Sequence, residues 1–148
     1  MTNKKNKKKK KKGFTLIELV IVLAVLAIIA LIAIPNFTKV RNDSLEKADA
    51  RTGEQIKKIT LMAIANEDIK LPTVATDFKL KLDFNNDAII VTTGSSPTGS
   101  SFKKGDYEIM LKEVNAPQVN GKIGYEVHVD KEGNVRVYYN GGTETLTE

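Results

Sequence analysis

No cysteine and no tryptophan occur in these 148 residues, and histidine occurs once. Without cysteine there can be no disulfide, no thiolate metal ligand and no thiol nucleophile. Stability must then come from packing or from neighbouring molecules. The lone histidine, His128, falls on the strand face opposite Val127 and Val129 and beside Glu126. It reads as a solvated strand position rather than a catalytic base, and without a second histidine a zinc site is not expected. A phosphate-cradling glycine loop is also missing, because Gly141 and Gly142 precede a short polar tail rather than a helix. Asp83, Asn85 and Asp87 imitate the start of a calcium loop. However, Ala88 stands where that loop needs glycine and Gly94 where it needs a bidentate glutamate, so a turn is the expected reading. These gaps predict a protein that is not an enzyme, with no cofactor, no metal and no small-molecule substrate.

Charge is present but unevenly placed. The formal net charge is +5, yet eight lysines (Lys4, Lys5 and Lys7 to Lys12) lie in the first 12 residues. Setting those aside leaves 15 basic against 18 acidic side chains, a mildly acidic body. The basic pI therefore belongs to a short tail and does not mark a polyanion-binding domain. Anionic headgroups or nucleic acid could bind such a tail, but as a leader it needs only to orient the chain.

From Leu19 to Ile34 every side chain is apolar, and Glu18 is the only ionisable residue of the stretch 14–34. About 20 apolar residues at about 1.5 Å each match a hydrocarbon core about 30 Å thick. In lipid such a segment must be helical to satisfy its backbone. The lysines before it predict a cytoplasmic N-terminus, with the remainder outside. A conventional cleaved signal peptide fits poorly, because Ala30 and Ala33 lead into Ile34 and Pro35 rather than into a polar mature chain. The break in character lies earlier, at Gly13. Glu18 is costly in an anchor, by about 2.5–3.5 kcal/mol at mid-bilayer and less near the surface. It is either a tolerated interfacial residue or one that finds a cation in an assembled state. A new amine at Phe14, one helical turn away, would serve as that cation. Pro35 removes an N–H and predicts a kink or local melting over residues 31–35, or else the end of the membrane helix.

The string KKGFTLIELVIVLAVLAIIALIAIPNF closely resembles the class III leader junction of type IV pilins and pseudopilins. The resemblance covers about residues 8–40, with Gly13, Phe14, Glu18 and Pro35 in matching places. It implies that a prepilin peptidase/methyltransferase cuts between Gly13 and Phe14 and methylates the Phe14 amine. Glu18 would then neutralise that amine on an adjacent subunit during assembly. The implied partners are copies of the chain in a helical homopolymer, the inner pilus-assembly machinery, and the lipid bilayer before assembly.

Beyond the anchor, Phe37, Val40, Leu45, Ala48, Ile56, Ile59, Met62 and Ala63 recur at helical intervals and predict a packed face. Gly53 should weaken that helix by about 1 kcal/mol relative to alanine. One long helix is expected from about residue 14 to 66, with Leu71-Pro72 barring its continuation. The period then falls to two. Strands are expected at residues 78–84, 88–93, 123–129 and 135–139, with a less regular candidate at 107–114. Turns are expected at 85–87, 120–121 and 130–134, and GSSPTGSS at 94–101 should be a flexible exposed loop.

The expected class is therefore α+β, a long kinked N-terminal helix laid on an antiparallel sheet of about four strands. Its parts are a cleaved basic leader (1–13), a transmembrane and filament-core helix (14–35), an amphipathic helix half (36–70) and a sheet head (71–148). This is also the pilin architecture. Many pilins close the C-terminal region with a disulfide, so closure here must use other contacts. The expected function is a type IV pilus subunit, a single-pass membrane protein before assembly and part of an extracellular fibre afterwards. The alternatives are a pseudopilin of a secretion or DNA-uptake system, and a signal-anchored surface protein that never polymerises.

Overall fold

The computed structural model describes residues 13–85 and 88–147. The lysine leader (1–12) lies outside the described residues, as do positions 86 and 87 of the expected turn and calcium-like loop. The first helix, α1, spans Leu16–Ala65. The chain divides into two units, residues 1–40 and 41–148.

In the first unit α1 is apolar on all sides from Leu19 to Ile34, and from Gly13 to Val40 only Ala30 is partly covered. A helix with no polar face has nothing to turn towards water. None of its most apolar 18 residues is buried, and α1 is long and apolar enough to span a bilayer. Its N-terminal length thus fits a single-pass, membrane-anchored chain.

In the second unit the remaining turns of α1 bury Asp49, Thr52, Gly53, Ile56, Thr60 and Ala63, spaced as one face. This corrects the expected face. Phe37, Val40 and Met62 are 71%, 57% and 58% exposed, whereas an aspartate, two threonines and a glycine lie inside. Thr52 and Thr60 donate to the carbonyls of Ala48 and Ile56 one turn back, which satisfies hydroxyls that would otherwise be costly to bury. The helix ends in a Schellman motif. Asp68 N donates to Ala63 O at 2.8 Å and Glu67 N to Ile64 O at 3.1 Å, with Glu67 at φ 61°. The stop therefore precedes Pro72 and does not depend on it.

The strands are β1 (Ile69–Lys70), β2 (Phe78–Asn85), β3 (Ala88–Ser95), β4 (Ser101–Phe102), β5 (Gly124–Val129) and β6 (Val135–Tyr139). A short helix, α2 (Lys104–Met110), replaces the irregular strand expected at 107–114. Its single buried residue, Tyr107, explains why neither period was clean. The main sheet is antiparallel with order β3-β2-β5-β6, and β1 pairs with β4 in a second, two-stranded sheet. Alternation places Phe78, Leu80 and Leu82 beside Val127, Tyr125 and Val129 on the inner face, where Ile56 and Ala63 of α1 join one core.

The 94–101 stretch differs from the expected loose loop. Gly94 and Ser95 belong to β3, Ser101 to β4, and the carbonyl of Thr98 accepts from both the N–H and the hydroxyl of Thr73 at 2.9 Å. Gly99, at φ 85°, lies where a Cβ would meet Thr73 Cγ2 at 2.6 Å. His128 also differs from the solvated reading. Its side chain is 15% exposed, with Nε2 2.7 Å from Glu126 Oε1 and the ring 4.4 Å from that of Tyr138. Asp83 makes a structural contact, accepting from Asn140 Nδ2 at 2.9 Å.

Closure without a disulfide rests on two devices. The first is Asp49, fully buried on α1. Its Oδ1 accepts from Gln118 N at 2.8 Å, and its Oδ2 from Val119 N and the Tyr139 hydroxyl, both at 3.0 Å. Helix, the loop before β5 and strand β6 thus meet on one carboxylate. Burial pushes the Tyr139 hydroxyl above its ordinary range, and the bond to Asp49 adds to the rise.

The second device is the C-terminal stretch. Leu146 N donates to Val137 O at 2.8 Å, Val137 N donates to Thr147 Oγ1 at 3.3 Å, and Thr145 bridges to Tyr138. These residues occupy the free edge of β6 and press on Gly53, where a built Cβ would meet Leu146 Cβ at 3.0 Å. At the opposite edge, Glu108 of α2 accepts from Val91 N of β3 at 2.9 Å. Both margins of the sheet are therefore engaged.

Asp49→Ala removes the acceptor of three hydrogen bonds to partly buried donors, at about 1 kcal/mol each. It should lower head stability by about 3 kcal/mol in denaturant unfolding of the detergent-solubilised chain. Asp49→Asn, which keeps one acceptor oxygen, should lose less. Gly53→Val inserts bulk at the Leu146 contact and should cost about 1–3 kcal/mol, read as a lower melting temperature of the head.

Candidate assembly site

The N-terminus of α1 is built by a four-residue pattern, Thr15-Leu16-Ile17-Glu18. Thr15 precedes the helix, and its carbonyl accepts from Leu19 N at 3.3 Å. Its hydroxyl accepts from Glu18 N at 3.3 Å. In return Glu18 Oε2 accepts from Thr15 N at 2.8 Å and from the Thr15 hydroxyl at 2.9 Å. This is a capping box, which satisfies orphan N–H groups at both ends of the turn. The helix dipole adds attraction for the carboxylate at this end. The Thr-x-x-Glu spacing carries this signal in the sequence itself.

The box governs how Glu18 can act. Only Oε2 takes part in it, and Oε1 has no partner among the described residues. One oxygen holds the helix start while the other stays open to an outside cation. Gly13 and Phe14 lie before the cap, out of the helix, with Phe14 92% exposed and nothing within 4 Å of a Cβ built on Gly13. Gly13, Phe14 and Glu18 are thus gathered at one helix end.

Pro35 lies elsewhere, roughly 25 Å along the axis at about 1.5 Å per residue. The helix continues through it to Ala65, so Pro35 does not end α1 and residues 31–35 remain helical. The missing proline N–H deprives the Leu31 carbonyl of its usual donor. The Thr38 hydroxyl donates to the Pro35 carbonyl at 2.9 Å.

Residues 8–34 match the family model of the prokaryotic N-terminal methylation motif. No curated protein matches the chain. No solved structure matches it either. The matched motif and the α+β architecture, a long N-terminal helix with an antiparallel sheet, are consistent with a type IV pilin-like prepilin. The motif implies processing by a prepilin peptidase and assembly into a filament.

Thr15→Ala removes the cap and should destabilise the first turn by about 1 kcal/mol, within the 0.5–2 kcal/mol range of such losses. Amide exchange at Glu18 and Leu19, whose N–H groups bond to Thr15, should then quicken about fivefold in detergent micelles. Thr15→Ser should leave it unchanged.

Proposed function

We propose that this chain is a structural, non-enzymatic subunit of a type IV pilus. It enters the membrane with the lysine leader in the cytoplasm and the sheet head outside. A prepilin peptidase cuts between Gly13 and Phe14 and methylates the new Phe14 amine. The subunit then leaves the bilayer for a helical homopolymer that serves adhesion or motility at the cell surface. The inner assembly machinery and the chain's own copies are its partners.

The observation that carries this reading is the half-engaged Glu18 carboxylate at the start of an apolar rod with no covering of its own. A pure interfacial cap would need no amine nearby. A carboxylate with one open oxygen, beside a bond whose cleavage yields an amine, suits a charge pair between staggered copies. Within a bundle of such rods the local dielectric is low, so the pair strongly favours one register. The surrounding Leu, Ile and Val surface supplies the cohesion, at about 25 cal/mol per Å² of apolar area removed from contact with water. Subunits drawn directly from lipid gain less, because lipid already shields that surface.

Glu18→Gln separates charge from capping, since glutamine also completes a capping box. The variant should be inserted and cut normally, yet the unpaired amine left in the bundle should cost about 3–5 kcal/mol per subunit. Fibres recovered by shearing should fall below detection. Normal fibre yield from Glu18→Gln would overturn the pairing role. Mass spectrometry of sheared wild-type fibres should read a chain beginning at methylated Phe14. An intact leader on a dispersed membrane protein would instead favour the non-polymerising surface protein. Deleting the gene should abolish surface fibres; loss of export or DNA uptake with fibres retained would place the chain in a pseudopilus.

A further inference from the structure

The sequence holds two Asn-Gly pairs, at Asn120-Gly121 and Asn140-Gly141. Both glycines take positive φ, 82° and 73°, and a Cβ built on either meets nothing within 4 Å. The two pairs form a matched comparison inside one head, differing in how each asparagine is held. Asn140 is anchored twice: its Nδ2 donates to Asp83 Oδ1 at 2.9 Å and its main-chain N–H to Gly124 O at 2.9 Å. Asn120 is exposed at the corner of a turn in which Lys122 N donates to Val119 O at 3.2 Å. Neither its side-chain amide nor the Gly121 N–H has a hydrogen-bond partner among the described residues.

We propose that Asn120 is a site of spontaneous, self-catalysed modification to aspartate and isoaspartate, and that the fold protects Asn140 from the same reaction. The Gly121 nitrogen attacks Asn120 Cγ, forming a C–N bond as the Cγ–Nδ2 bond breaks. Ammonia leaves, carrying the proton lost by the Gly121 N–H, and a five-membered imide remains. Water then opens the ring. Attack at the side-chain carbonyl gives aspartate, and attack at the main-chain carbonyl gives isoaspartate; in both, the Gly121 N–H is restored. Glycine at 121 leaves the attacking nitrogen unhindered, and the reaction needs no reagent besides water. At Asn140 the bond to Asp83 holds the amide away from its own backbone and must open first.

The position matters because of what lies next to it. Val119 N is held by Asp49 Oδ2 at 3.0 Å, and Gly124 begins β5. Isoaspartate routes the main chain through one extra atom between those two fixed points. The loop can then no longer keep both the Asp49 bond and the strand register, so the clamp on α1 slackens. The new acid also adds a negative charge to a loop already tied to a buried carboxylate.

The test is peptide mapping of the full chain in detergent micelles, incubated at mildly alkaline pH and 37 °C and sampled over weeks. The Asn120 peptide should accumulate both acidic products about tenfold faster than the Asn140 peptide, the factor set by opening one hydrogen bond of ordinary strength. In urea the two rates should converge. Equal rates in the folded chain, or Asn140 converting first, would overturn the proposal. Asn120→Gln should abolish the early acidic species; their persistence would assign them elsewhere and also overturn it. Aged wild-type chain should melt below fresh chain while aged Asn120→Gln does not, and an unshifted melt would sever the link to the Asp49 clamp.

Discussion

The anchor of this molecule is governed by an apolar helical surface that no other described residue covers. Residues 19–34 carry no polar side chain, and none of them is buried. Water is not an acceptable environment for such a surface, so it must be met by lipid or by other copies. The single acid at its start is consistent with both settings. In lipid, Glu18 spends one oxygen on the first turn, which lowers the cost of an ionised group near the interface. In the bundle proposed above, the other oxygen would be the one open to an incoming amine.

The head meets a different demand, since it must hold a sheet on a helix with no covalent staple. A purely apolar helix face would pack, but it would not specify which loop or strand lies where. The buried face of α1 is instead half polar, and each polar group on it is spoken for. Thr60 meets the Tyr107 hydroxyl of α2 at 2.6 Å, and Asp49 gathers the loop before β5 and Tyr139 of β6. Burying a charge is unfavourable unless its acceptor sites are filled, and three donors converge on Asp49. Gly53 fits the same logic. Its helix cost is set against the close approach of Leu146, whose Cβ a side chain at 53 would crowd at 3.0 Å.

How much of this was legible in the sequence depended on how local each cause was. The anchor, the helix to about residue 65, the four long strands and the hairpin turn at 130–134 all arise from neighbours in the chain, and periodicity reveals them. The capping box is equally local, and the Thr15-x-x-Glu18 spacing carries it. Along the second half of α1, by contrast, hydropathy is a poor proxy for burial. Phe37 and Val40 follow the apolar pattern yet stay exposed, while Asp49 lies inside because of Gln118, Val119 and Tyr139, some 70 to 90 residues away. No local pattern reports a partner at that distance. The same applies to the 94–101 segment, whose composition suggests looseness until Thr73 is placed against it.

The occupied margins of the sheet have a consequence for growth. Fibre subunits are crowded at very high local concentration, the condition under which bare strand edges recruit one another into cross-β deposits. Here one border is stoppered by a glutamate side chain and the other by the chain's own end segment. Main-chain pairing is opposed where these groups sit, at Val91 on one border and along Val137 and Tyr138 on the other, so crowding of such heads meets partly guarded strands rather than bare ones.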